Sequence, residues 1–137
     1  RQLVLDAGLD RRIGAASAGT IDYHAGHQAD RRTRLAAKRR GIDLDSHAAR
    51  QLDPADFDRF ELLLAMDRGH LTALQHMAGP GRMEQVDLFL NFAPDLGLRD
   101  MPDPYYGEAD GFERVLDLCQ AGAAGLLDHI RRVRFQP

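Results

Sequence analysis

Apolar runs alternate with amphipathic stretches along the chain, a pattern that predicts strands separated by helices. Three short runs predict strands, at residues 13–18, 61–66 and 86–90. The first run consists of small, apolar residues and indicates a buried strand. Asp87 gives the third run an alternating pattern, which favours an edge strand.

Helical patterns occupy the segments between these runs. Residues 30–40 predict a helix that ends at Gly41. Residues 54–60 predict a short helix with proline in its first turn, and residues 69–77 carry apolar side chains at helical spacing. Residues 112–133 predict the longest helix, because apolar residues recur there every three or four positions: Phe112, Val115, Leu116, Cys119, Ala123, Leu126, Leu127, Ile130 and Val133.

Alternating strands and helices predict an α/β fold. We expect a single three-layer domain over residues 1–137, in which helices cover both faces of a parallel sheet. The active site of such a sheet lies at the carboxyl ends of its strands. Those ends are residues 17–20, residues 66–67 and the loop after Leu90, which leads to residues 103–107.

Composition narrows the class of protein. The formal net charge is −3 and the pI is near 6.0, which argues against a nucleic-acid-binding protein. No apolar run is long enough to cross a bilayer, and the N-terminus lacks the apolar core of a signal peptide. The single cysteine, Cys119, excludes an intramolecular disulfide. We therefore expect a cytoplasmic monomer or weak dimer with no membrane or nucleic-acid partner.

Two polar clusters have simple interpretations. The basic run at residues 31–40 favours a solvated helix face over a surface that steers anionic phosphopeptides. His24 and His27 are three positions apart with Asp22 nearby, but Gly26 and the loop setting argue against a preformed metal site. We expect no metal.

Asp103 is the strongest candidate for chemistry. Pro104 follows it and restricts the backbone of both residues, and two tyrosines and a glycine come next. Such a loop can hold one carboxyl group beside an aromatic wall. A reaction that expels a phenolate needs a proton donor there, since the tyrosine hydroxyl has a pKa of about 10. The residue types alone favour a proline-aromatic turn that only packs.

The run D-P-Y-Y-G at residues 103–107 resembles the low-molecular-weight protein-tyrosine phosphatases. The resemblance extends over essentially the whole chain, because further runs match that family in the same order. These are Ala7-Gly8-Leu9, Ser17-Ala18-Gly19-Thr20, Asp22-Tyr23-His24-Ala25-Gly26, Gly41-Ile42-Asp43-Leu44, Ser46-His47, Ala49-Arg50-Gln51-Leu52, Ala65-Met66-Asp67, Asn91-Phe92-Ala93-Pro94 and Gly111-Phe112-Glu113-Arg114-Val115.

The resemblance implies a role for each matching residue. Asp103 would protonate the leaving tyrosine oxygen and then act as base on the hydrolytic water. Three aromatic side chains would line the pocket: Tyr105 and Tyr106 on one wall, and Tyr23 on the opposite wall. Ser17 and His47 would support the phosphate loop by hydrogen bonding.

One part of the family pattern is absent from these 137 residues. The family's nucleophile lies in a C-x-x-x-x-x-R-[ST] loop between its first strand and first helix, and its sheet has four strands with the first between the second and third. Cys119 does not fit that loop, because Gly125 stands at the arginine's offset, and we expect a buried core thiol. We therefore expect the domain to be N-terminally incomplete, with the first strand and the phosphate loop upstream of Arg1.

The sequence thus predicts a protein-tyrosine phosphatase that forms a cysteinyl-phosphate intermediate and needs no metal or organic cofactor. Its substrates would be phosphotyrosine proteins or aryl phosphates. Two alternatives stay open: a thiol-dependent arsenate reductase of the same fold, and a catalytically dead module that binds phosphotyrosine or a partner.

Overall fold

A computed structural model describes residues 1–21, 23, 25–104 and 110–135. Its helices and strands are α1 (Gln2–Asp6), α2 (Arg31–Arg39), α3 (Asp56–Arg59), β1 (Leu63–Ala65), α4 (Arg68–Ala78), β2 (Val86–Leu88) and α5 (Asp110–Ile130). Short 3₁₀ segments at Pro80–Gln85, Phe89–Phe92 and Pro94–Leu96 flank β2, and a π-helical segment, Arg131–Phe135, follows α5. Within these ranges no helix combines the length and hydropathy needed to cross a membrane.

Strands β1 and β2 pair in parallel, with Leu63 opposite Val86 and Ala65 opposite Leu88. Helix α4 lies between them in the chain, which makes a β-α-β unit. The predicted strand at 86–90 is shorter than expected, because the chain turns into the 3₁₀ segment directly after Leu88. The predicted strand and helix order is therefore confirmed in this half of the chain.

Side chains on opposite faces of β1 enter different clusters, so the sheet is covered on both sides. Leu63 and Ala65 pack with Phe57 of α3 and Leu74 of α4. Leu64, which points the other way, packs in a cluster with residues of α5 and the 3₁₀ segment after β2. This arrangement is the predicted α/β architecture with helices on both faces of a parallel sheet.

Helix α5 uses two buried faces, of which the sequence pattern revealed only part. Phe112 and Leu116 pack against Ala36 and Ala37 of α2, as the pattern predicts. Leu118 is also buried and packs against the segment that follows β2.

Two glycines of α5 allow the helix to approach that segment closely. A Cβ added at Gly125 would lie 1.8 Å from the carbonyl oxygen of Phe92, and one at Gly122 would lie 2.4 Å from the Phe89 ring. The sequence pattern also placed Val133 on the apolar face of this helix. That part of the prediction is wrong, because Val133 is 60% exposed.

The prediction of a buried strand at residues 13–18 is wrong for this chain. Ile13 is half-buried, and residues 14–18 are exposed and form no strand ladder. A strand needs a neighbour that pairs with its backbone groups. Within the described ranges, pairing of this stretch is limited to a single parallel bridge between Gly19 and Gln51.

Local capping explains where α2 and α4 begin and end. The Asp30 carboxylate accepts a hydrogen bond from the backbone N–H of Arg32, and the Asp67 carboxylate accepts one from that of His70. Gly41 follows α2 with a φ of +74°, a conformation that favours glycine. The predicted helix at 30–40 is thereby confirmed to within one residue at each end.

Candidate active site

Ser17 and His47 lie side by side in the structure although 30 positions separate them in the chain. The Ser17 Oγ is 3.5 Å from Nε2 of His47, at the outer limit of a hydrogen bond. Both line a shallow cavity, together with Gly19 and Arg50. We call these four residues the Ser17 corner.

Backbone hydrogen bonds hold the two sides of the Ser17 corner together. The N–H of Gly19 donates to the carbonyl oxygen of Arg50 at 2.8 Å, and the N–H of Leu52 donates back to Gly19 at the same distance. Leu52 in turn packs against the apolar cluster that contains β1. These backbone hydrogen bonds and the packing of Leu52 therefore connect the corner to the cluster around β1.

A buried carboxylate supports the corner from below. Asp56 is 1% exposed and accepts two hydrogen bonds from the guanidinium of Arg50, at 2.8 and 3.2 Å. It also accepts from the backbone N–H of Asp53 at 2.9 Å and from the Arg59 guanidinium at 3.2 Å. The hydrogen bond from Arg50, followed by that from Asp53, lowers the pKa of Asp56 from its usual value of 3.8.

Asp103 is exposed and belongs to a second region, residues 100–104, which we call the Asp103 loop. This loop is tied to the carboxyl end of β1, because the N–H of Met101 donates to the carbonyl oxygen of Met66 at 2.8 Å. Asp103 is two residues beyond that bond, a reach of at most about 7 Å along the chain. The topological prediction that this residue lies at the strand ends is consistent with that tether.

The aromatic pocket residues are only partly described. Tyr23 is 78% exposed. Tyr105 and Tyr106 lie outside the described residues, as do Asp22 and His24. Of the predicted site residues, Ser17 and His47 are thus in mutual contact, while Asp103 and Tyr23 are both accessible to solvent.

Cys119 has the properties of a structural thiol. It is half-buried rather than fully buried as predicted, and this burial raises the pKa of its thiol. A nucleophilic cysteine needs the opposite shift, toward the thiolate. Cys119 therefore lacks the electrostatic setting of a nucleophile.

Sequence reasoning missed the charged residues that support the site. Asp56 and Arg50 are six positions apart, and Arg68 and Asp100 are 32 apart. Arg50 belongs to the Ser17 corner, but the run at residues 49–52 contributed only to the family resemblance. A buried aspartate in the first turn of a short helix gave no separate signal.

Comparison with known proteins places the whole arrangement in a family. Residues 1–135 match the family model described as low molecular weight phosphotyrosine protein phosphatase. A low molecular weight protein-tyrosine-phosphatase of Streptomyces coelicolor is 43% identical over 134 residues, which cover 96% of this chain and 81% of that protein.

Solved structures agree with the sequence comparison. A protein tyrosine phosphatase from Entamoeba histolytica, crystallised with Hepes in the active site, matches 96% of this chain and 83% of its own at 30% identity and a TM-score of 0.90. YfkJ from Bacillus subtilis matches 98% of this chain and 83% of its own at 34% identity, also with a TM-score of 0.90. This chain therefore belongs to the low molecular weight phosphotyrosine protein phosphatase family.

Proposed function

We propose that the complete protein hydrolyses phosphotyrosine through a cysteinyl-phosphate intermediate, with Asp103 as the general acid. The observation that carries the proposal is that Asp103 is exposed on a loop tethered at Met66, directly after β1. Family membership over residues 1–135 supports the same reaction.

In the first step a cysteine thiolate attacks the phosphorus atom, forming an S–P bond as the P–O bond to the tyrosine ring breaks. Asp103 gives its carboxyl proton to the departing oxygen, which leaves as a neutral phenol. This transfer matters because the phenolate is a poor leaving group, whose conjugate acid has a pKa of about 10.

In the second step Asp103 reverses its role. Its carboxylate takes a proton from a water molecule while the water oxygen bonds to phosphorus. The S–P bond then breaks, which returns the thiolate and releases inorganic phosphate. The carboxyl group is thereby reprotonated for the next cycle, so the reaction needs no metal or organic cofactor.

The nucleophile in this proposal is upstream of Arg1, together with the arginine of the C-x-x-x-x-x-R loop. The chain's single cysteine supports this assignment, since Cys119 is half-buried on α5 and its pKa is raised. The same properties disfavour arsenate reduction, which requires further reactive cysteines.

We propose that the remaining site residues bind rather than react. Ser17 and His47 brace the phosphate loop through hydrogen bonds, which is supported by their mutual contact in the cavity they share with Arg50. Tyr23 forms one aromatic wall, and Tyr105 and Tyr106 form the other. A substrate ring stacked between them would place its phosphate toward the Ser17 corner.

The test is turnover of a phosphotyrosyl peptide by the complete protein, compared with an Asp103→Ala variant. We expect kcat/KM to fall by roughly 10²–10⁴-fold, the usual contribution of a positioned general acid. Asp95→Ala, which removes an exposed aspartate of a 3₁₀ segment, is the matched control and should leave turnover unchanged.

Two outcomes would overturn the proposal. Equal turnover by wild type and Asp103→Ala would remove Asp103 from its role. Binding of the peptide without turnover by the wild type would favour a catalytically dead phosphotyrosine-binding module. The cytoplasmic location and the monomeric or weakly dimeric state stay predictions.

A further inference from the structure

We propose that Arg68 is a positioning residue for Asp103 and acts through Asp100. The inference rests on the proposed role of Asp103 as general acid, and it adds a specific support for the proton donor. The argument begins at the start of α4, where Arg68 is the first helical residue.

Asp100 receives several hydrogen bonds from this one arginine. The backbone N–H of Arg68 donates to Oδ1 of Asp100 at 2.8 Å. In the guanidinium, Nε lies 3.3 Å from Oδ1 and 3.1 Å from Oδ2, and Nη2 lies 2.9 Å from Oδ2. A fork of two parallel donors fixes the orientation of a carboxylate as well as its distance. Asp100 is therefore held in direction, and the side-chain hydrogen bond from Arg68 lowers the pKa of its carboxyl.

A neighbouring backbone bond makes this contact a two-point attachment. Met101 donates to the carbonyl oxygen of Met66 at 2.8 Å, so two consecutive residues of the Asp103 loop are joined to the junction of β1 and α4. The two together fix the direction in which the chain continues toward Asp103.

The far side of the loop is also in close contact. A Cβ added at Gly111 of α5 would lie 3.5 Å from the Cα of Pro104. Pro104 itself restricts the backbone of Asp103. Substitution of Arg68 removes the guanidinium contacts with Asp100 and leaves the bond from the Arg68 backbone N–H in place.

The pair is too exposed to matter much for folding. The Arg68 side chain is 64% exposed and that of Asp100 is 41% exposed, and ion pairs at such positions stabilise proteins little. Removing the arginine should therefore leave the fold intact and change the placement of the Asp103 loop. Misplacing the acid should lower kcat/KM most for substrates whose leaving group needs a proton.

The experiment compares aryl phosphates with poor and good leaving groups, using the complete protein. In Arg68→Met we expect kcat/KM for phenyl phosphate to fall about tenfold, since small displacements of a reacting group are costly. For dinitrophenyl phosphate, whose leaving group needs no proton, kcat/KM should change by less than about twofold. Asp100→Asn should give a change of the same kind, and the double variant should be no worse than Arg68→Met alone.

Arg82→Met is the matched control, because Arg82 also pairs with an exposed aspartate, Asp58, but on a different segment. It should not alter the ratio of the two substrates. Arg68→Lys keeps the charge without the fork and should recover activity only in part.

The outcomes separate this inference from the proposed function. If Asp103→Asn shifts the substrate ratio and neither Arg68→Met nor Asp100→Asn does, the positioning role is wrong while the general acid stands. An equal fall in kcat/KM for both substrates in these two variants would also contradict the positioning role, because a general structural defect affects both substrates alike. If Asp103→Asn itself leaves the ratio unchanged, the proposed general acid fails first.

Discussion

The Ser17 corner is supported by a buried aspartate, whereas the Asp103 loop is supported by an exposed one. Asp56 beneath the Ser17 corner is 1% exposed and accepts hydrogen bonds from two arginines and a backbone N–H. Asp100 in the Asp103 loop accepts hydrogen bonds from the side chain and the backbone N–H of Arg68, at the surface. A buried carboxylate is costly to leave unpaired, whereas an exposed pair costs little to remove.

Because of this difference, the two regions of the site depend on the fold to different degrees. The region that would brace the phosphate loop has its support built into the fold, so its geometry and the stability of the protein are linked. The region that would carry the proton donor has an adjustable support, so its geometry can change while the fold stays intact. Substitutions in the two regions should therefore have separable effects on stability and on turnover.

The largest expected effect on stability comes from Asp56→Ala. The substitution leaves Arg50 and the N–H of Asp53 without their acceptor, and we expect the free energy of unfolding to fall by about 2–3 kcal/mol. Urea denaturation of the complete protein measures this. Asp58→Ala removes an exposed aspartate of the same helix and should have little effect. Equal stability of Asp56→Ala and wild type would contradict the contrast between the two regions.

Ser17→Ala should reduce turnover without discriminating between substrates. Loss of a hydroxyl that braces the phosphate loop impairs every phosphate ester alike, and we expect kcat/KM to fall about tenfold for both phenyl and dinitrophenyl phosphate. Steady-state kinetics on the two substrates provide the measurement. A fall in kcat/KM for phenyl phosphate alone would mean that Ser17 acts on the leaving group. Ser17 and the Asp103 loop would then have the same role, which contradicts the contrast between the two regions.

The smallest expected effect concerns acid unfolding. Because hydrogen bonds from Arg50 lower the pKa of Asp56 in the folded protein, its contribution is fully present above the usual value of 3.8. The contribution is lost as the pH falls from there through the lower folded pKa. Asp56→Asn cannot titrate, so its stability should decline less steeply than that of the wild type below about pH 4. Parallel stability curves over this range would show that Asp56 is not the linked group.

Most of the architecture could be predicted from the sequence because its signals are local. Asp30 and Gly41 mark the ends of α2, and apolar periodicity marks α5 from Phe112 onward. The order of short motifs ending in D-P-Y-Y-G predicted the family that the comparisons confirm. These features depend on residues a few positions apart, which a linear pattern displays.

The parts that could not be predicted depend on distant partners. The run at 13–18 has the composition of a strand, but composition cannot show whether a neighbouring strand is there to pair with it. Gly125 looks like a weak point in a helix until the carbonyl group of Phe92 is seen against it. The Arg68–Asp100 pair joins residues 32 positions apart, and neither residue is distinguished from other surface charges by its local sequence.

The most direct test of the account is the structure of the complete protein with benzylphosphonate bound. The bridging carbon of this ligand stands in for the tyrosine oxygen that leaves in the reaction. We predict that a carboxyl oxygen of Asp103 lies within about 3.5 Å of that carbon, with the phosphonate group on the side of Ser17 and His47. A carboxyl group more than about 6 Å away, or a phosphonate bound elsewhere, would contradict the assignment of Asp103 as the proton donor.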